Sequence, residues 1–243
     1  MMVRSKFPCS AGRTDPGKVR TRNEDAFLDS TALGLWAVAD GLGGHQSGDI
    51  ASQLIVNHLA MLPPEPDVQL RGEAVRRCLH WLNRRLTEEL TLACDRQGGV
   101  IGSTVVALLV EQGKGICIWA GDSRCYLWRD QSLYQLSKDH SLWQQRLSEQ
   151  PGGTEGAARQ SGDHALTRAV GAQPRLSLEV LTFEVRPGDA FLLCSDGLYQ
   201  SVDNTQLSGA LALGSPRRAV DRLFECALAG PAQDNLTAVV VQR

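Results

Sequence analysis

The stretch that decides the fold is LWAVADGLGG, Leu35–Gly44. Its first five residues are apolar, and a run of this length and composition predicts a strand of a buried sheet. Asp40 follows the strand, and the glycines after it allow a tight turn with close backbone approach. The local sequence leaves three roles open for Asp40, which are a turn residue, part of a phosphate-binding loop, or a metal ligand.

Similar apolar runs occur along the rest of the chain, with helical patterns between them. The strand-like runs are Leu35–Ala39, Ser103–Val110, Ile116–Ala120, Ala190–Cys194 and Leu236–Val241. The helical patterns are Ile50–His58, Leu79–Ala93 and Ala219–Ala227, the last after Ser215-Pro216. Together they predict an α+β domain in which helices cover a stack of sheets. Asp49 fits the start of the first helix, where an acid favours the positive end of the helix dipole.

Composition limits the class of protein. The 243 residues are 42% apolar and 21% charged, which is ordinary for a soluble globular protein. The length permits one large domain with a sizeable core or two small domains, and the absence of a clear linker favours one. A net charge of −2 gives no pull toward nucleic acid or anionic lipid. The longest apolar run, Val105–Val110, is too short to span a bilayer, and the N-terminus lacks the apolar core of a signal peptide. Seven cysteines without a CxxC pair fit a reducing compartment, so we expect a cytoplasmic protein without membrane or nucleic-acid partners.

Four aspartates stand at the ends of apolar runs, each with Gly or Asn beside it. They are Asp40, Asp122, Asp196 and Asp234. Turn formation is one reading, because Asp-Gly and Asp-Asn are common turn pairs. If the four carboxylates converge instead, each close pair repels by roughly 4 kcal/mol at an effective dielectric of 20, a cost that a divalent cation removes. Oxygen ligands without a Cys or His pair favour Mg²⁺ or Mn²⁺ over zinc.

TRNED, Thr21–Asp25, adds two acids shortly before the first strand. Glu24 and Asp25 either join the acidic site or lie in a solvated loop. Arg20 and Arg22 precede them, and an arginine beside an anionic metal cluster suggests recognition of a substrate phosphate, since its planar fork donates two parallel hydrogen bonds.

A series of motifs resembles the bacterial PP2C-type (PPM family) metal-dependent serine/threonine protein phosphatases. The motifs are DPGKVRTRNED (Asp15–Asp25), VADGLGG (Val38–Gly44), GST (Gly102–Thr104), AGDSR (Ala120–Arg124), LTRAVG (Leu166–Gly171), LCSDGL (Leu193–Leu198) and QDNLT (Gln233–Thr237). They occur in family order over nearly the whole chain. Their sequences are most similar to those of the stand-alone phosphatases encoded with type VI secretion systems. The resemblance implies a β-sandwich of two antiparallel sheets flanked by helix pairs, with a dinuclear metal centre at one end. One phosphatase domain is then expected over residues 1–243, with a flexible N-terminal extension at 1–12 and a flap at 141–163.

The resemblance also implies roles for the acids. Asp40 would bridge two Mn²⁺ or Mg²⁺ ions, Gly41 would offer its carbonyl to one, and Asp196 and Asp234 would complete the other shell. Asp122 would hold a third ion together with Asp196. Glu24 and Asp25 would hold metal-bound waters, and Arg20 would bind phosphate, whereas Arg22 matches no assigned role.

The implied reaction is hydrolysis of phosphoserine or phosphothreonine by a hydroxide that bridges the two ions. Leu42 departs from many eukaryotic members, which have a histidine there as the acid that protonates the leaving oxygen. His45 is the candidate replacement, with a helix-capping role as the alternative, and His164 is a weaker second candidate. His58, His80 and His140 are assigned to packing or to the surface.

The expected partners are a phosphorylated protein and a cognate Ser/Thr kinase pathway, with the enzyme as a monomer. Two other classes compete with this hypothesis. A nucleotide-binding protein is disfavoured because GLGG and GKG are short and no GxxxxGK[ST] occurs. A catalytically weak, metal-bound module that binds phosphoproteins is the second alternative.

Overall fold

The computed structural model describes residues 8–42, 48–90, 101–149 and 165–243. Its strands are β1 (Cys9–Asp15), β2 (Asp25–Ser30), β3 (Leu35–Leu42), β4 (Gly102–Ser103), β5 (Val105–Glu111), β6 (Lys114–Ala120), β7 (Arg124–Arg129), β8 (Ser132–Gln135), β9 (Glu179–Glu184), β10 (Ala190–Cys194) and β11 (Leu236–Gln242). Its helices are α1 (Gly48–Ala60), α2 (Val68–Arg85, continued by a π-helical turn at Leu86–Leu90), α3 (Leu142–Glu149), α4 (Asp196–Ser201), α5 (Asn204–Leu211) and α6 (Pro216–Ala229). Each strand and helix predicted from periodicity overlaps one of these elements. The helix expected at Leu79–Ala93 begins at Val68, however, and the strand expected at Leu35–Ala39 continues to Leu42.

The strands form two antiparallel sheets. One has the order β1-β11-β10-β7-β8, and the other has the order β2-β3-β5-β6-β9 with β4 paired to the end of β3. Helices α1 and α2 pack on the second sheet, and α5 and α6 pack on the first. The molecule is therefore the α+β sandwich of two antiparallel sheets flanked by helices that the resemblance implies.

The apolar run at Leu35–Ala39 is continuous because both faces of β3 are buried. Trp36 and Val38 lie in the cluster between the sheets, and Leu35, Ala37 and Ala39 lie in the cluster under α1 and α2. Side chains alternate along a strand, so Asp40 continues the face that carries Trp36 and Val38 and points toward the edge of the sandwich interior.

The antiparallel order brings the predicted acids to one end of the sandwich. The end of β10 lies beside the start of β11, since Cys194 pairs with Ala238. In the other sheet the end of β6 lies beside the start of β5, where Ala120 pairs with Val105, and Asp40 pairs with Asp25. All four strand-end aspartates therefore leave the sheets on the same side.

Two boundaries differ from the sequence prediction. The N-terminal extension expected at 1–12 is wrong for residues 9–12, because Cys9–Asp15 pairs with β11 along its whole length as the edge strand of the first sheet. The flap expected at 141–163 begins with the helix Leu142–Glu149, and residues 150–163 lie outside the described part of the chain. None of the described helices is long and apolar enough to span a membrane.

Candidate functional site

Asp40 is held at the end of β3 by the GST segment. Its backbone N–H donates to Thr104 Oγ1 at 3.1 Å, and its carbonyl accepts the Thr104 N–H at 2.8 Å and Ser103 Oγ at 2.9 Å. Thr104 Oγ1 also lies 2.7 Å from Ser123 Oγ, next to Asp122. The GST segment therefore fixes the backbone of Asp40 and connects it to the Gly121-Asp122 turn.

Asp25 is the buried partner of Asp40 across β2 and β3. Its Oδ2 accepts hydrogen bonds from Ser195 Oγ and Thr237 Oγ1, both at 2.7 Å, which join it to the opposite sheet. Its Oδ1 is buried and has no hydrogen-bond partner among the described residues. Burial raises the pKa of Asp25 to about 7, against the lowering effect of the two hydroxyl donors. Asp25 is therefore a buried acceptor anchored through one oxygen only.

Asp122 and Asp196 approach from the two sheets. Asp122 follows Gly121, whose φ of +119° suits glycine, and burial raises the pKa of Asp122 to about 7 with Asp196 and Asp139 adding to the effect. Asp196 is the first residue of α4, and Gln200 Nε2 donates to its Oδ2 at 2.9 Å. Burial raises the pKa of Asp196 as well, followed by the charge of Asp234.

Asp234 and Asn235 organise the loop that carries the arginines. Arg20 donates to Asp234 Oδ2 at 2.7 Å, and this hydrogen bond raises the pKa of Arg20. Asn235 Oδ1 accepts the backbone N–H of Glu24 at 2.8 Å, while its Nδ2 donates to the carbonyls of Pro16 and Arg22. Asn235 therefore holds the RTRNE loop against the acidic end of the sandwich.

Gly41 lies in a position that admits no side chain. A Cβ there would overlap the carbonyl oxygen of Gly48 and would lie 2.7 Å from that of Glu24. The Glu24 carboxylate in turn packs against Gly48, where a Cβ would lie 2.9 Å from Glu24 Oε2. Burial raises the pKa of Glu24, and the charge of Asp49 adds to the effect. The start of α1 therefore brings Glu24 close to Gly41.

The electrostatics fit a divalent cation. Withdrawal from water raises the pKa of Asp40 well above its usual range, and the charges of Asp25, Asp196, Asp122 and Asp234 raise it further. These groups are oxygen donors only, which is the ligand chemistry of Mg²⁺ and Mn²⁺. Within the described ranges, no three His, Cys, Asp or Glu side chains already surround one point as a ligand shell.

A cleft of about 470 Å³ opens beside this cluster. Arg20, Gly197 and Asp234 contribute to its wall, together with Val19 and Gln200. The Arg20 side chain is 56% exposed and reaches the cleft from the loop side. A guanidinium at the mouth of an acidic cluster is suited to a ligand with a phosphate group.

The structure brings together most of the residues predicted from the sequence. Those near one another at this end of the sandwich are Arg20, Glu24, Asp25, Asp40, Gly41, Asp122, Asp196 and Asp234. His45 and His164 lie outside the described residues. His58 packs on Trp81, with ring centroids 5.2 Å apart, while Leu42 pairs with Gly102 at the end of β3.

Sequence reasoning missed several residues that position the acids, which are Thr104, His140, Ser195, Asn235 and Thr237. His140 Nδ1 accepts the Gly121 N–H at 3.1 Å, and the backbone N–H of His140 donates to the Gly121 carbonyl at 2.9 Å, so it holds the turn before Asp122. A signal was present for Ser195 and Thr237, since each continues the alternation of an inward-facing strand residue. No pattern indicated His140.

The family model described as protein phosphatase 2C matches residues 18–240. The chain is 30% identical over 237 residues to the serine/threonine phosphatase stp of Listeria monocytogenes, and this covers 95% of the chain and 94% of the relative.

Solved structures agree with this match. The chain resembles the structure described as PppA, a key regulatory component of T6SS in Pseudomonas aeruginosa, with a TM-score of 0.89, 38% identity and 98% of both chains covered. It also resembles the catalytic domain of serine threonine protein phosphatase PstP in complex with two manganese ions, with a TM-score of 0.82, 33% identity, and 97% and 98% of the two chains covered.

Proposed function

The chain belongs to the protein phosphatase 2C family of serine/threonine phosphatases, and from this premise we propose how its own residues carry the reaction. Asp40, the carbonyl of Gly41, Asp196 and Asp234 hold two divalent cations. The observation that carries this assignment is a link across the sandwich, in which Asp40 pairs with Asp25 and the Asp25 Oδ2 accepts hydrogen bonds from Ser195 and Thr237 in the segments that carry Asp196 and Asp234. The two manganese ions in the PstP catalytic domain support the number of ions.

A third ion is assigned to Asp122 and Asp196, and either Mn²⁺ or Mg²⁺ suits all of the sites. The negative charge of Asp196 raises the pKa of Asp122, which supports a shared cation between the two carboxylates. Glu24 and Asp25 are assigned to ion-bound waters, because Asp25 is anchored through Oδ2 and leaves Oδ1 without a described partner.

The bound cations supply an activated water and neutralise phosphoryl charge. Arg20 binds the phosphoryl oxygens and orients the phosphorus in the cleft. Its hydrogen bond to Asp234 uses one of five N–H donors, which leaves the others for the substrate. Phosphoryl transfer depends chiefly on positioning and charge neutralisation, which are the two roles that this arrangement assigns to Arg20 and the acids.

His45 is the proposed acid for the leaving serine or threonine oxygen. It follows Leu42 by three residues, and the leucine side chain has no ionisable group that could act as an acid. Histidine titrates near neutral pH and suits this role.

The proposed substrates are phosphorylated proteins, and the proposed partner is a Ser/Thr kinase whose action the enzyme reverses. The PppA structure, described as a regulatory component of T6SS, supports a role in control of type VI secretion. One phosphatase domain over residues 1–243 agrees with a family match to 18–240. The proposed location is the cytoplasm, and the six described cysteines, which are all free, support it. The proposed oligomeric state is a monomer, because a single chain provides every proposed site residue.

Comparison of the serine/threonine phosphoproteome of cells with the wild-type chain and with Asp40→Asn tests this function. We expect accumulation of phosphosites on one kinase and its targets in the variant. An unchanged phosphoproteome would refute the protein-phosphatase assignment.

A further inference from the structure

A second cavity lies away from the acidic cluster, on the outer face of α2. Arg77, Trp81 and Arg84 recur at helical spacing on this face. Arg175 faces them from the segment that follows the LTRAVG motif, and the space between is about 640 Å³. The remaining wall residues are His80, Asn83, Pro174 and Leu176. We call this cavity the arginine groove.

The groove is cationic. Three of its wall residues are arginines, and no aspartate or glutamate is among the described residues that line it. Arg77 has a 3.8 Å contact with Glu73, with both side chains mostly exposed. Arg84 and Arg175 have no ion-pair partner within the parts of the chain that the structure describes. On a chain with a net charge of −2, this local concentration of positive charge would attract an anionic ligand.

The wall opposite α2 is fixed by Asn83. Its Nδ2 donates to the carbonyl of Gln173 at 2.9 Å, and its Oδ1 accepts the Gly171 N–H at 2.8 Å. Asn83 is buried, so these bonds form in a site where leaving them unmade is costly. The groove is therefore a built feature of the fold.

The same hydrogen bonds place the groove near the acidic cluster. Gly171 follows Val170, which exchanges two backbone hydrogen bonds of 2.9 Å with Ser103. Ser103 Oγ donates to the carbonyl of Asp40 at 2.9 Å. The wall of the groove is therefore connected to the backbone of Asp40 through Asn83, Val170 and Ser103.

We propose that the arginine groove binds an acidic segment of the phosphoprotein substrate, outside the residue that is dephosphorylated. This inference rests on the protein-phosphatase function proposed above and adds a recruitment site to it. Arg77, Arg84 and Arg175 pair with carboxylates along the segment, and the exposed part of Trp81 packs against its apolar atoms.

The groove is better suited to an acidic polypeptide than to a nucleotide. The Trp81 ring lies 5.2 Å from the His58 ring and 5.3 Å from the Arg85 guanidinium. Both contacts use part of the Trp81 ring, which leaves less of it for a base to stack on. The separate arginines instead match charges distributed along an extended chain.

A binding experiment tests recruitment without catalysis. The probe is a fluorescein-labelled peptide of alternating glutamate and glycine, titrated with the full-length Asp40→Asn protein at low salt. Arg77→Glu with Arg84→Glu should weaken binding about tenfold, since two surface pairs are lost and two repulsions replace them. The matched control, Arg218→Glu with Arg222→Glu, makes the same charge change on exposed α6 positions and should leave affinity within about twofold. Equal weakening in both double variants would overturn the proposal. Displacement of the peptide by ATP, but not by other anions of the same charge, would also overturn it, because the groove would then be a nucleotide site.

A kinetic experiment links the groove to turnover. With a phosphothreonine peptide that has a glutamate-rich tail, Arg77→Glu with Arg84→Glu should raise KM about tenfold with unchanged kcat. A glutamine-tailed peptide and p-nitrophenyl phosphate should show no change, which also shows that the variant is folded. A KM that is equal for both tails would refute the recruitment role. If the wild-type enzyme hydrolyses neither peptide, the proposed function fails, and the binding experiment judges the groove separately.

Discussion

Asp122→Asn should stabilise the metal-free protein at alkaline pH. Burial raises the pKa of Asp122 to about 7, with Asp196 and Asp139 contributing, whereas an unfolded aspartate titrates near 3.9. The folded chain therefore holds the proton more tightly. The stability from this carboxyl is complete below the unfolded pKa and is lost as the pH rises to the folded pKa.

The expected size follows from this shift. Between about pH 5 and about pH 8 the contribution of Asp122 to the free energy of unfolding falls by about 3 kcal/mol, since one pKa unit corresponds to 1.36 kcal/mol. For a chain of this length, the loss lowers Tm by roughly 5–10 °C. The substitution Asp122→Asn removes the charge and keeps the shape of the side chain, so it isolates this contribution.

Thermal unfolding in EDTA at the two pH values measures the effect. Asp122→Asn should show a smaller fall in Tm than the wild type and should be the more stable protein at about pH 8. When Mn²⁺ is added at about pH 8, the wild type should gain more stability than the variant, because it offers one more anionic ligand. If Asp122→Asn is as sensitive to pH as the wild type, or is less stable at about pH 8, the raised pKa of Asp122 is not a source of the pH dependence.

Three other substitutions test separate parts of the site. Arg20→Ala should raise KM for a phosphothreonine peptide by about 10–100-fold, because charge-assisted hydrogen bonds to the phosphate are lost. An inhibition constant for inorganic phosphate that is the same in the variant and the wild type would contradict this role. His45→Gln should lower kcat by roughly 100-fold or more on phosphoserine, whose leaving oxygen needs a proton, and far less on p-nitrophenyl phosphate, whose leaving group does not; equal losses on the two substrates would exclude His45 as the acid. Thr237→Val removes one of the two hydroxyl donors to buried Asp25. Urea unfolding should show a free energy of unfolding lower by about 1–3 kcal/mol at about pH 8, and a smaller loss at about pH 5, where Asp25 is protonated. A loss of the same size at both pH values would show that the hydroxyl does not stabilise the charged carboxylate.

Much of the fold could be predicted from the sequence because the sandwich buries both faces of its central strands. LWAVA at Leu35–Ala39 is apolar at every position, with alternate residues in the two clusters on either side of β3. A strand with such a pattern is typical of a sheet that is covered on both faces. The antiparallel pairing came from the family resemblance, since apolar runs carry no information on strand direction.

The N-terminal edge was harder to predict. Cys9–Asp15 has the burial pattern of a partly exposed edge strand, with no continuous apolar run to mark it. Its place is set by pairing with β11, more than 200 residues away along the chain. Local composition does not contain that contact.

In the site, the residues that follow apolar runs could be predicted from the sequence, whereas those that act through backbone contacts could not. Asp40 comes directly after the apolar part of β3, and Asp196 comes two residues after β10, so position along the chain indicates both. His140 contributes through a reciprocal pair of hydrogen bonds with the backbone of Gly121, and a backbone contact of this kind leaves no sequence signal. The arginine groove requires α2 and the segment at Pro174–Leu176 to face one another, which only the tertiary structure establishes.

Turnover of a phosphothreonine peptide during titration with Mn²⁺ tests the central claim most directly, with wild type and Asp40→Asn compared at equal concentration. We predict that wild-type activity rises with Mn²⁺ and disappears in EDTA, and that Asp40→Asn loses at least about 100-fold in kcat, on the scale of removing a preorganised electrostatic group. A wild type that stays inert with Mn²⁺ while it binds the phosphopeptide would support the interaction module instead. Activity that persists in EDTA or in Asp40→Asn would contradict the account.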